Sequence, residues 1–141
     1  MKNSIVTFSL IMLIVLVAMA AAADDLGKAT RLLCSTSSAT ICHADGECES
    51  GPPWTWNIPD FVEADLDAKT LSTTAASPEQ RQTPIEVVRR DDGLLLLQGM
   101  EQGRAFSIVI AEDVGSLSAA VTREDTVITV FGACTPLQAA N

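Results

Sequence analysis

Hydrophobic and polar positions alternate along this chain in short runs, and most runs end at turn residues. Residues 104–111 put Phe106, Ile108 and Ile110 on one face of an extended segment. After a turn at 112–115, Leu117, Ala119 and Val121 again share a face. A further turn at 123–125 leads to Val127, Thr129 and Phe131, which alternate with Ile128 and Val130 as far as Gly132-Ala133-Cys134. A period of two, renewed every ~10–12 residues, predicts an antiparallel β meander.

The earlier residues continue this pattern less cleanly. Residues 31–36 read as a first strand, with an extension to Ile41 and a short helix over 26–33 as the competing readings. Residues 60–66 alternate, with Val62, Ala64 and Leu66 on one side, and turn through Asp67-Ala68-Lys69 into a strand over 70–74. The polar stretch 75–83 predicts a loop, and Pro84 to Arg90 a strand with Ile85 and Val87 on one face. Asp91-Asp92-Gly93 is a hairpin signal, because Asp and Gly tolerate the positive φ such turns need. Leu94 to Gln98 is apolar without alternation, which predicts burial on both faces or a close overlay, and residues 99–103 turn the chain again.

The expected fold is therefore all-β, a meander of seven or eight strands. Such a meander must hide its edges, and an up-and-down barrel is favoured over a two-layer sandwich. The expected core is Leu32, Val62, Leu66, Leu71, Ile85, Val87, Leu95, Leu97, Phe106, Ile108, Ile110, Leu117, Val121, Val127 and Phe131.

Composition adds the compartment. Lys2, an apolar run over 5–17 and Ala20-Ala21-Ala22-Ala23 predict an export signal over residues 1–23, cleaved after Ala23, with a retained membrane anchor as the alternative. Residues 24–141 then form a single domain. The chain's four cysteines behind such a signal predict two disulfides. Of the three possible pairings, the favoured one joins Cys42 to Cys48 as a local clip around the Asp45-Gly46 turn and Cys34 to Cys134 as a tie between the first and last strands. The net charge of −9 disfavours nucleic acid and anionic membranes and favours a basic exported partner.

Candidate chemistry concentrates between Cys42 and Leu66, where the only histidine and both tryptophans lie. The spacing of Cys34, Cys42, His43 and Cys48 does not match a zinc site, and no metal or cofactor is expected. The acidic turn Asp45-Gly46-Glu47 lacks the ligand pattern of a calcium loop. No nucleophile elbow, phosphate loop or Cys-x-x-Cys motif is present, so no catalytic residue is expected. Trp54 and Trp56 remain. Two residues apart in an extended, proline-flanked piece, they would share a face with Ile58 and either plug one end of the barrel or line a cavity for a ligand or partner.

At Leu33-Cys34-Ser35, Asp45-Gly46-Glu47-Cys48, Asn57-Ile58-Pro59-Asp60-Phe61, Leu97-Gln98-Gly99, Gly103-Arg104-Ala105-Phe106 and Phe131-Gly132-Ala133-Cys134-Thr135-Pro136, the sequence resembles a group of small exported proteobacterial proteins. That resemblance implies a bacterial, periplasmic setting and carries no active site. As a class of small disulfide-bonded β proteins the chain is also similar to the periplasmic inhibitors of lysozyme. That family uses a serine loop with a nearby glycine and tyrosine; here Ser77 has no glycine beside it, and the chain contains no tyrosine. The functional expectation is a non-enzymatic, exported binding protein, directed either at a basic protein or at a small apolar or sugar ligand.

Overall fold

Two-residue turns fold the second half of the chain back on itself. At Asp92-Gly93 the φ angles are 48° and 76°, and at Gln102-Gly103 they are 48° and 77°. Both residues positive is the condition for a type I′ turn, whose twist suits paired strands. In the computed structural model, which describes residues 25–137, these turns join β6 (Val87–Asp91), β7 (Leu94–Glu101) and β8 (Arg104–Ala111). The strands before them are β1 (Arg31–His43), β2 (Cys48–Gly51), β3 (Phe61–Asp65), β4 (Thr70–Thr73) and β5 (Gln82–Pro84). β9 (Ser116–Arg123) and β10 (Thr126–Pro136) follow. The expected export signal lies outside the described residues.

All ten strands form one antiparallel sheet in the order β5-β4-β3-β1-β10-β9-β8-β7-β6, with β2 paired to β1. The sheet curls into a half-barrel rather than splitting into a sandwich. Its two ends are supplied by a single segment, residues 82–91. Within that segment Ile85 N–H donates to Lys69 O on the β4 side, and Glu86 N–H donates to Gln98 O of β7, both at 2.8 Å. Counting this segment as one bent strand, and β2 as a side hairpin, leaves the eight walls of the expected meander. The crossing is tight. A Cβ at Gly99 would stand 2.7 Å from both Pro84 O and the Phe106 ring, so only glycine lets β7 pass here.

The core follows cross-strand register. Leu32, Leu66, Ile85, Leu95, Leu97, Ile110 and Leu117 are buried, with Leu71 and Ile108 packed against them. Three expected core residues face outward instead: Val87 (40% exposed), Val127 (41%) and Phe131 (55%). Ile128 pairs with Val121 and Val130 with Ala119, so the inward face of β9 fixes Ile128 and Val130 as the inward residues of β10. At Val87 the crossing from β4 to β7 shifts the alternation by one, and Val88 packs inward in its place. Leu94–Gln98 is not buried on both faces, because Leu94 is 45% exposed while Leu95 and Leu97 are fully covered. The turn expected over 99–103 narrows to Gln102-Gly103, so that Gly99, Met100 and Glu101 still belong to β7.

The helix considered over 26–33 is reduced to a 3-10 turn, Leu26–Lys28, capped by the Asp25 side chain. Its Leu26 is completely buried and closes one end of the curled sheet. Leu26 N–H donates to Glu112 O, while Arg90 bonds the Glu112 carboxylate at 2.6 Å and the carbonyls of Leu26 and Ala29.

Both disulfides pair as expected. Cys34 and Cys134 face each other in the β1–β10 register with Cα atoms 4.0 Å apart; Cys42 and Cys48 do so between β1 and β2 at 4.1 Å. Two such bonds suit an oxidising, exported compartment. Among the described residues no helix is long and apolar enough to cross a membrane. Chain entropy sets the two bonds apart, because one closes a separation of 100 residues and the other a separation of 6. Replacing Cys34 and Cys134 by alanine should cost about 4–5 kcal/mol, and replacing Cys42 and Cys48 only about 2 kcal/mol. Urea titration of the two double variants checks this, and an equal loss in both would contradict it.

Candidate functional site

The end of the half-barrel opposite Leu26 is bounded by charged side chains on inward-facing positions. On β7 the inward set Leu95, Leu97 and Gly99 continues to Glu101; on β8 the inward set Ile110, Ile108 and Phe106 continues back to Arg104. The two meet because Glu101 and Arg104 flank the Gln102-Gly103 turn. Arg81, just ahead of β5, and Thr83 within it complete the group.

Glu101 accepts from Arg81 at 3.0 and 3.3 Å, from Arg104 at 2.9 Å and from the Thr83 hydroxyl at 2.8 Å. The side chains of Arg81, Glu101 and Arg104 are only 20%, 17% and 14% exposed. Burial by itself raises the Glu101 carboxyl. The Thr83 hydroxyl and the two guanidiniums outweigh it, so the group lies below the ordinary glutamate pKa. Arg81 also reaches across the opening. Its other guanidinium arm donates to Asn57 O at 3.0 Å and Asn57 Oδ1 at 3.2 Å. Asn57 sits in the left-handed region (φ 59°) as the C-cap of a 3-10 turn, Pro53–Trp56.

Behind this group lies an apolar cavity of about 120 Å³ inside the curled sheet. Leu97, Phe106, Ile108, Ala119 and Val121 line its body, and Arg81, Glu101, Arg104 and Thr83 line its mouth. Outside the mouth an open groove of about 430 Å³ runs past Trp54, Phe61 and Pro78. Ile58, Pro59, Thr73 and Arg81 border both spaces, so the groove and the cavity adjoin.

The two tryptophans do not share a face. Pro53–Trp56 is a 3-10 turn rather than an extended piece, and residues two apart on such a turn diverge. Trp54 is 64% exposed and lines the outer groove. Trp56 packs with Ile58 against Ala39, Ile128 and Val130, and a Cβ at Gly51 would stand 3.2 Å from its ring. Of the two expected roles, a plug at one end or the lining of a cavity, the tryptophans share neither: Trp54 borders the outer groove, Trp56 packs into the wall, and neither lines the cavity. His43 ends β1 on the surface, where its N–H bonds Glu47 O in the loop closed by Cys42 and Cys48. Among the described residues no group of three His, Cys, Asp or Glu side chains is placed to hold a metal ion.

Arg81, Glu101 and Arg104 were not among the expected site residues. The signal that marks them is a charged residue in phase with an apolar face: Leu95, Leu97, Gly99, Glu101 and Arg104, Phe106, Ile108, Ile110 each keep one parity.

Removing the carboxylate leaves two guanidiniums facing each other. Glu101→Gln should therefore cost about 2–4 kcal/mol at neutral pH. Because the folded pKa is lowered, wild-type Glu101 contributes stability in full above the ordinary glutamate pKa and loses it as pH falls through the folded value. The gap between wild type and Glu101→Gln in denaturant titrations should narrow across that acid window; a gap independent of pH would contradict the assignment.

No protein-family model, curated protein or solved structure matches this chain.

Proposed function

We propose that this is an exported, non-enzymatic binding protein that takes a small, largely apolar molecule into the cavity of its half-barrel. The observation that carries this reading is the cavity itself. Protein interiors are close-packed, with few voids larger than a water molecule. A pocket of about 120 Å³ with an apolar body leaves the side chains around it without packing partners. A fold this small bears such a void at a real cost to its stability, and a ligand that fills it returns the lost contacts. Apolar cavities only slightly larger, about 150 Å³, accept benzene. A ligand would enter past Arg81, Ile58, Pro59 and Thr73, which border both the cavity and the outer groove. Residues 1–23 and the two disulfides support export to the periplasm or beyond.

Ligands that bind only the folded state raise its stability. At ten times the dissociation constant of benzene or 1-hexanol, the gain should be about 1.4 kcal/mol, a rise of about 5 °C in Tm. Ala119→Leu places extra methyl groups in the cavity and should abolish the shift while leaving a cooperative transition. If neither compound moves the wild-type Tm, or Ala119→Leu responds as wild type does, the cavity is not the binding site.

A further inference from the structure

The cavity is apolar, but its mouth is not electrically neutral. Glu101 faces two guanidiniums, and they use it unequally. Arg81 spends its Nε and both Nη groups on Glu101 and Asn57. Arg104 makes one side-chain hydrogen bond among the described residues, through Nη2 to Glu101. Its other N–H donors are still to be accounted for, since an arginine has five. Among the described residues no fully buried side-chain nitrogen or oxygen lacks a partner. The remaining donors of Arg104 therefore keep some contact with solvent, although its side chain is only 14% exposed, and Arg104 lines the cavity. Glu79 lies 3.8 Å from Arg81 but is 64% exposed, so solvent screens it and it offsets little of the charge of the two guanidiniums.

We infer that the molecule held here is a small amphipathic carboxylate, with its head on the free donors of Arg104 and its apolar body in the cavity. This rests on the cavity-binding function proposed above and specifies its ligand. A planar guanidinium offers two parallel N–H groups that match a carboxylate. The mouth holds one guanidinium beyond what Glu101 balances, which suits a monoanion. A doubly charged head would exceed the one guanidinium left over, and an ammonium head would meet two arginines. The volume limits the body to about six carbons by comparison with cavities that accept benzene. A six-carbon chain beginning at Arg104 would pass Phe106 and reach Ile108 and Ala119, all of which line the cavity.

The test compares hexanoate, 1-hexanol and hexylamine, which share a body and differ in head, by calorimetry and by amide chemical-shift mapping at neutral pH. Wild type should bind hexanoate about tenfold more tightly than 1-hexanol and hexylamine most weakly, with shifts at Ile108 and Ala119 for both hexanoate and the alcohol. Arg104→Gln should bring hexanoate down to the affinity of 1-hexanol and leave 1-hexanol unchanged. That variant leaves Glu101 bonded to Arg81 and Thr83, and an unchanged alcohol affinity certifies its fold. Arg104→Lys, which keeps the charge without the fork, should retain only part of the preference and serves if the glutamine variant does not fold. Wild type binding 1-hexanol as tightly as hexanoate, or Arg104→Gln keeping the preference, would overturn the carboxylate assignment and leave cavity binding standing. Binding of none of the three would overturn both.

Discussion

The pairing of β1 with β10 is the constraint on which the interior depends. A meander has two free edges and, left open, only one apolar face with nothing to cover it. Here the first and last long strands run side by side from Leu32 opposite Pro136 to His43 opposite Thr126, and Cys34–Cys134 locks the register. The other walls then hang from this pair in chain order on either side, and they meet in residues 82–91. Closure by one bent segment is what creates an enclosed volume. It also explains why Gly99 and Pro84 come so close, since β7 must pass the end of β5 where the chain changes neighbours.

Much of this architecture is legible in the sequence, and the failures have a common physical origin. Alternation identifies strands β8, β9 and β10, and Asp92-Gly93 announces its turn because two positive φ angles demand those residue types. Alternation does not say which face is inward when both are apolar. In β10, Val127 and Phe131 compete with Ile128 and Val130, and only the partner strand decides. Once Leu117, Ala119 and Val121 are taken as inward, the two-residue turn between Arg123 and Thr126 forces Ile128 and Val130 inward as well. Register is a property of two strands, and a reading of one strand at a time misses it. The same limit hides the phase change at Val87, which arises where one segment leaves one neighbour for another.

The candidate site was hidden for a different reason. Cysteine, histidine and tryptophan draw attention because they are few, and two of the four cysteines, the histidine and both tryptophans fall between Cys42 and Trp56. Scarcity says little about position. Pro52-Pro53 starts a 3-10 turn there, and that turn sends Trp54 to solvent and Trp56 to the wall formed by β1 and β10. Arg81, Glu101 and Arg104 are common residue types in an acidic chain, and their meaning lies in parity. A charge that continues an apolar face to the end of its strand is carried to the rim of whatever that face encloses.

The two ends of the half-barrel use the same device to different effect. At one end Arg90 holds Glu112 and two backbone carbonyls, and the 3-10 turn bearing Leu26 fills the space between the strands. Charge there fastens an apolar plug. At the other end Arg81 is fastened in the same way, to Glu101 and Asn57, but the side chains it gathers border an empty apolar volume and a second arginine with donors to spare. A buried ion pair gains little net stability over apolar packing of the same shape. A closed end would be served as well by a second leucine. The proposed carboxylate would give the charged rim and the apolar cavity one role, the Arg104 donors holding its head and the cavity its body.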